Sequence, residues 1–140
     1  MKILCWLALL TILSACASKP INSSVSVEWD YIARAADRSS ATYVEGASIR
    51  KLGDKVKLWE MLDYEEGREL GSKQVLSFKS LKEHDCKEKI YRGLSIIFYS
   101  KNMGKGAIVY SNNETRPWKS VITGSTNEAS VKYACGGVKC

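Results

Sequence analysis

The chain has 140 residues, of which 45% are hydrophobic and 26% charged, with a formal net charge of +6. This composition is ordinary for a globular domain and excludes a collagen-like or disordered chain, and the length gives one domain rather than two. Basic residues are spread from Arg50 to Lys105, so the charge reads first as a solvated surface; the sharper reading is contact with anionic lipid, lipopolysaccharide or acidic host polymers.

The N-terminus opens with Lys2, an apolar run from Ile3 to Leu13, and the quartet Leu13-Ser14-Ala15-Cys16. A positive start, a short apolar stretch and small residues before a cut site make a secretory signal. The run is about a dozen residues, too short for a membrane span of ~20. The cysteine at the cut site resembles a bacterial lipoprotein lipobox. Residues 1–15 are therefore expected to leave as a signal peptide, with Cys16 acylated by palmitate-type chains. Ala17, rather than Asp, after Cys16 resembles the Gram-negative outer-membrane sorting pattern. The expected address is the outer membrane, lipid-anchored, on its surface or its periplasmic face. That address makes nucleic acid a poor partner.

Residues 16–26 are polar and Ser-rich and read as the lipidated cysteine plus a tether. Stretched out, the tether reaches on the order of 25–30 Å. Export also puts the remaining cysteines, Cys86, Cys135 and Cys140, where disulfides persist. Three thiols allow one intramolecular bond and leave one over.

The first strand is expected from Val25 to Arg34, with Val27, Trp29, Tyr31 and Ala33 on its apolar face. Thr42-Tyr43-Val44 reads as a short second strand. Gly53-Asp54 makes a turn before a third strand, Lys55 to Tyr64. Glu65 to Gly71 is charged, holds two glycines and reads as a loop. Val75–Asp85 and Lys89–Ser100 read as the fourth and fifth strands, and Ala107–Tyr110 as a short sixth. Ser125-Thr126-Asn127-Glu128 is a capping box that starts a helix, which Gly136-Gly137 stops in the manner of a left-handed cap. Val131 and Cys135 share a face of that helix.

These residues carry a family resemblance. Tyr43-Val44 with Ser48-Ile49, Gly53-Asp54-Lys55-Val56 running into Trp59, and Asp85-Cys86 with Tyr91-Arg92 come first. Tyr99-Ser100, Met103-Gly104, Gly106, Trp118, Gly124-Ser125 and Cys135 follow in order. The chain resembles the surface-adhesin protein E family of small Gram-negative lipoproteins over residues 27–135, leaving 136–140 as a short tail. The resemblance implies an α+β fold: about six antiparallel strands in one sheet, with a C-terminal helix linked to it by a disulfide. Cys86 and Cys135 fall on the two bonded positions, and Cys140 lies outside the pattern. Such a bond closes roughly 50 residues of chain and stabilises by ~3–4 kcal/mol on the chain-entropy model. The family name also implies adhesion to a macromolecular partner, such as a host matrix protein.

Chemistry is sparse. Glu83-His84-Asp85-Cys86 is the only dense run of reactive types. On a strand His84 and Cys86 point the same way but sit ~6.5–7 Å apart, too far for a thiol–imidazole pair. No CxxC or HxxxH spacing suggests a metal, and no cofactor signature is present. Gly104-Lys105-Gly106 lacks the turn and helix of a phosphate loop and reads as a hairpin connection. Trp29, Trp59 and Trp118 are expected in the core. The leading expectation is a non-enzymatic outer-membrane lipoprotein, adhesin-like, binding through sheet surface and loops, with Lys101 and Lys105 as candidate contacts. The alternative is a periplasm-facing structural or accessory lipoprotein that partners other envelope proteins.

Overall fold

A computed structural model describes residues 26–136. The signal segment, Cys16, the tether up to Val25 and the tail from Gly137, Cys140 included, lie outside the described residues.

One antiparallel sheet carries a single helix on one face. The strands are β1 (Asp30–Arg34), β2 (Ser40–Val44), β3 (Arg50–Leu52), β4 (Lys55–Leu70), β5 (Lys73–Asp85), β6 (Ile90–Tyr99), β7 (Ile108–Asn112) and β8 (Lys119–Ser120). Their order is β1-β2-β4-β5-β6-β7, with β3 beside β4 and β8 beside β6. The expected six-strand path is present; β3 and β8 are additional short edges. The helix α1 (Thr126–Cys135) follows β8.

On β4, Val56, Leu58, Glu60 and Leu62 share one face, and Val56 and Leu58 are fully buried beneath α1. Val44 of β2 and Ala134 of α1 complete this small core, flanked by Ile32, Ile49, Tyr133 and the half-buried Cys86 and Cys135. The helix presents small residues there: Ser130, Val131 and Ala134 are buried. Cys86, just after β5, is bonded to Cys135 in the last turn of α1, with Cα atoms 5.5 Å apart. The disulfide pins the helix to the sheet end, as the resemblance implied.

The capping box forms with a change of partner. The Ser125 hydroxyl accepts from the Glu128 backbone N–H, but the Glu128 carboxylate accepts from the Gly124 N–H, not from that of Ser125. The Ser125 N–H is already donated to the Ile122 carbonyl. Gly136 is the right-handed C-cap, φ −71°, and Gly137, the other residue of the expected left-handed stop, lies outside the described residues.

Three other expectations give way. Glu65–Leu70 is strand, not loop: β4 runs 16 residues and turns only at Gly71, φ +62°. Beyond Asp63 the β4–β5 ladder shifts register and runs on as a two-stranded ribbon whose β4 side is exposed, with Val75 of β5 buried, so Glu65–Leu70 needs no apolar alternation. The first strand starts at Asp30, and its apolar parity is reversed. A register shift between Tyr31 and Ala33 turns Ile32 to the core and leaves Val27 and Tyr31 exposed. None of the three tryptophans is buried. Lys79 Nζ sits 4.7 Å above the Trp59 ring, and Arg92 and Lys55 lie 4.3 and 5.4 Å from that of Trp118. Flat indoles under flexible cations suit a half-exposed sheet face.

Candidate functional site

The helix covers only part of its face of the sheet. Its first turn, at Asn127, marks one wall of an open groove of about 310 Å³. Leu62, Phe78 and Ile96 form an apolar floor, and Arg116 and Lys119 form a cationic lip. Past the groove, Tyr64, Phe78, Phe98 and Tyr110 make a row of half-open rings across β4 to β7, with centroids 5.4–6.1 Å apart. Side chains two apart on each strand share this face, which is why four strands contribute one ring each.

At the inner end of the groove lies a polar network. Lys82 Nζ donates to Glu60 Oε1 at 2.5 Å and to Asn127 Oδ1 at 2.7 Å. Ser130 Oγ donates to Glu60 Oε2 and lies 3.3 Å from His84 Nε2. Glu60, His84 and Ser130 are buried. Burial, then the Lys82 ammonium, hold the His84 imidazole down at about 4, so it is neutral at pH 7.

The hydrogen-bond inventory assigns the protons of this network. Ser130 has one hydroxyl hydrogen, and Glu60 takes it. The oxygen can then only accept from His84, so Nε2 carries the proton and Nδ1 is a bare acceptor without a partner. A nucleophilic serine needs the reverse arrangement, with imidazole accepting its proton and a carboxylate holding Nδ1. Cys86 is equally committed, since its sulfur is in the disulfide. The network instead joins α1 to β4 and β5. Sequence reasoning missed Glu60, Lys82, Ser130 and Asn127. The available signal was a carboxylate at an apolar parity position of β4 and a lysine on the same face of β5, diagonal to it. His84 has a hydrogen-bond partner at Nε2 only.

The candidate contacts Lys101 and Lys105 are exposed, at the far end of the sheet from the helix C-terminus. Between them the chain makes one 3-10 turn, Asn102–Gly104, fastened to β4 and β5. Asn102 donates to Asp63 and to the Tyr64 carbonyl, the Met103 N–H donates to Asp63, and the Gly104 N–H donates to Ser77 Oγ. Two lysines thus project from a braced loop. Met103 and Gly104 both have positive φ, +53° and +67°. A Cβ on Gly104 would lie 2.8 Å from Met61 Cε.

Among the described residues no group of three or more His, Cys, Asp or Glu is placed to hold a metal ion, and no helix is long and apolar enough to cross a membrane.

Comparison with known proteins adds family and fold. No curated protein matches the chain. One solved structure, crystal form II of Haemophilus influenzae protein E, superposes with a TM-score of 0.60 at 16% identity, covering 79% of this chain and 91% of that one. Protein E from non-typeable Haemophilus influenzae gives 0.59 at 15% identity, over 80% and 79%. At this identity the likeness is one of fold. The family model for surface-adhesin protein E matches residues 29–136, nearly the whole described domain, and the chain belongs to that family.

Proposed function

We propose that this chain is a non-enzymatic adhesin, anchored in the outer membrane through acylated Cys16, that holds a macromolecular partner at the end of the domain farthest from the anchor. A host matrix protein is the partner this reading favours. The carrying observation is the disposition of the sheet. The chain enters β1 at Asp30, opposite Val44, which is opposite Glu60, so the tether joins at the β3–β4 turn end. The Lys101–Gly106 loop and the β4–β5 ribbon lie at the other end. The loop is fastened to β4 at Asp63 and Tyr64, about 25–30 Å along the strand from the turn, and the ribbon carries on to Leu70. A rise of about 25–30 Å lifts the braced lysines clear of a bilayer.

The serine–histidine arrangement supports the non-enzymatic part, since neither Ser130 nor Cys86 can act as a nucleophile there. Two measurements test the reading. Mass analysis of the mature protein is expected to find acyl chains on Cys16, and Cys16→Ala is expected to yield a larger, unprocessed or misrouted product. Binding to immobilised matrix protein is expected to weaken with salt and with Lys101→Gln plus Lys105→Gln, the thermal midpoint holding. A hydrolytic or transfer activity abolished by His84→Ala in a folded protein would overturn it.

A further inference from the structure

The end of the sheet where the tether joins is also its most cationic. The β3–β4 hairpin carries Arg50, Lys51, Lys55 and Lys57 within eight residues, all exposed, and Leu52 at its tip is 86% exposed. The β5–β6 turn adds Lys87 and Lys89, and β8 adds Lys119. Two carboxylates at this end are already engaged. Glu83 is buried and clasps Arg92 at 2.6 Å, and Asp85 is buried, bonds Lys55 at 3.0 Å and caps the turn through the Lys87 and Glu88 N–H groups. The exposed carboxylates of the two turns are Asp54 and Glu88.

Arg50 lies directly across from Lys57 in the ladder. Like charges in facing positions destabilise a strand pair. Lys57 has only a long 3.8 Å contact to Glu83, and among the described residues neither Arg50 nor Lys51 is ion-paired. The Arg50 guanidinium instead donates to the Ala47 and Ile49 carbonyls, which fixes its place beside the hairpin. An arrangement that costs stability in the free domain is relieved by a dense anionic surface. A bare leucine at the tip of the same hairpin suits the interfacial layer of a bilayer.

We infer that this end of the domain docks on the anionic lipid headgroups of the membrane to which the chain is tethered. Arg50, Lys51 and Lys57 make the electrostatic contact and Leu52 dips between headgroups. Three features meet at one place: the point where the chain enters the described domain, cations that are unpaired (Arg50, Lys51) or held only by a long contact (Lys57), and the exposed apolar tip. A tether of ten or so residues allows the end to reach that surface without strain. Docking stands the long β4 strand away from the bilayer and presents the Lys101–Gly106 loop outward. The inference rests on the anchored reading for its choice of membrane.

The test removes the acyl chain so that the two ideas fail separately. The mature chain from residue 16 onward, carrying Cys16→Ser, is mixed with vesicles of phosphatidylglycerol and phosphatidylcholine, or of phosphatidylcholine alone. Binding is expected only to the anionic vesicles and is expected to fall as salt is raised. Each cation near such a surface strengthens partitioning about fivefold, so Arg50→Gln, Lys51→Gln and Lys57→Gln together should weaken it roughly 100-fold, without lowering the thermal midpoint. Leu52→Ser should weaken it several-fold, and Lys101→Gln with Lys105→Gln, at the far end, should not. Equal binding to both vesicle types, no loss in the triple variant, or retention on a sulfated polysaccharide without vesicle binding would overturn the inference. Acylation of Cys16 is read separately by mass, so its absence would refute the anchor and leave the vesicle result standing.

Discussion

Ser130 donates its one hydroxyl hydrogen to Glu60, and this single bond decides the character of the buried network. With that hydrogen committed, His84 becomes a donor to serine rather than a base for it. In this arrangement the network braces the helix against β4 and β5.

Stability should report the brace. Glu60→Ala leaves the Lys82 ammonium, only 14% exposed, without its carboxylate. A loss of about 3 kcal/mol is expected in denaturant unfolding, within the range for breaking a buried pair. Ser130→Ala should cost less, about 1–2 kcal/mol, by removing one hydrogen bond from a buried charge. Replacing Glu60 and Lys82 together by methionine should recover most of the loss.

Acid should weaken the fold through His84. Its folded value of about 4 lies below the ordinary 6.5, so the unfolded chain binds the extra proton. The stabilisation is complete above pH 6.5, declines as pH falls, and is gone below about pH 4. The span corresponds to roughly 3 kcal/mol. Chemical denaturation at pH 7 and pH 4.5 should differ for the native chain, and the difference should shrink in His84→Gln. Asp85 and Glu128 carboxylates, held low first by backbone N–H groups, lose their stabilisation only at more acidic pH, as they protonate.

The Cys86–Cys135 bond should be found by non-reducing peptide mapping, with Cys140 unpaired or joined to another molecule. Reduction, or Cys86→Ser with Cys135→Ser, should cost ~2–5 kcal/mol and loosen α1 first. A Cys86–Cys140 or Cys135–Cys140 link would contradict the assignment.

Gly104→Ala is expected to destabilise by about 1 kcal/mol, because the residue needs positive φ; its Cβ would also displace the flexible end of Met61. Melting temperature checks this. Partner binding should fall with it, since the substitution disturbs the brace that holds Lys101 and Lys105.

The sequence made some of this legible and hid the rest for physical reasons. Helix start and the central strands carry local signatures, a cap and buried alternation, while the cysteine pairing comes through the family resemblance. The two-residue β8 and three-residue β3 carry none, because edges this short bury too little to pattern. The charged run Glu65–Leu70 looks like a loop since its ribbon stands free of the core. The parity of β1 is set by a register shift that spacing alone does not announce. The network around Glu60 depends on which strand residues face one another across β4 and β5, and sheet register is a tertiary property. The cationic hairpin was visible only as scattered basic residues until the topology gathered them at the tether end.

The most direct measurement is labelling of lysines on intact cells with an amine reagent that does not cross membranes, followed by peptide mapping. The account predicts modification of Lys101 and Lys105 before lysis, with Lys51 and Lys57 protected until the membrane is dissolved. Protection of Lys101 and Lys105 in intact cells, with labelling only after lysis, would contradict a surface adhesin and leave a periplasm-facing envelope protein in its place.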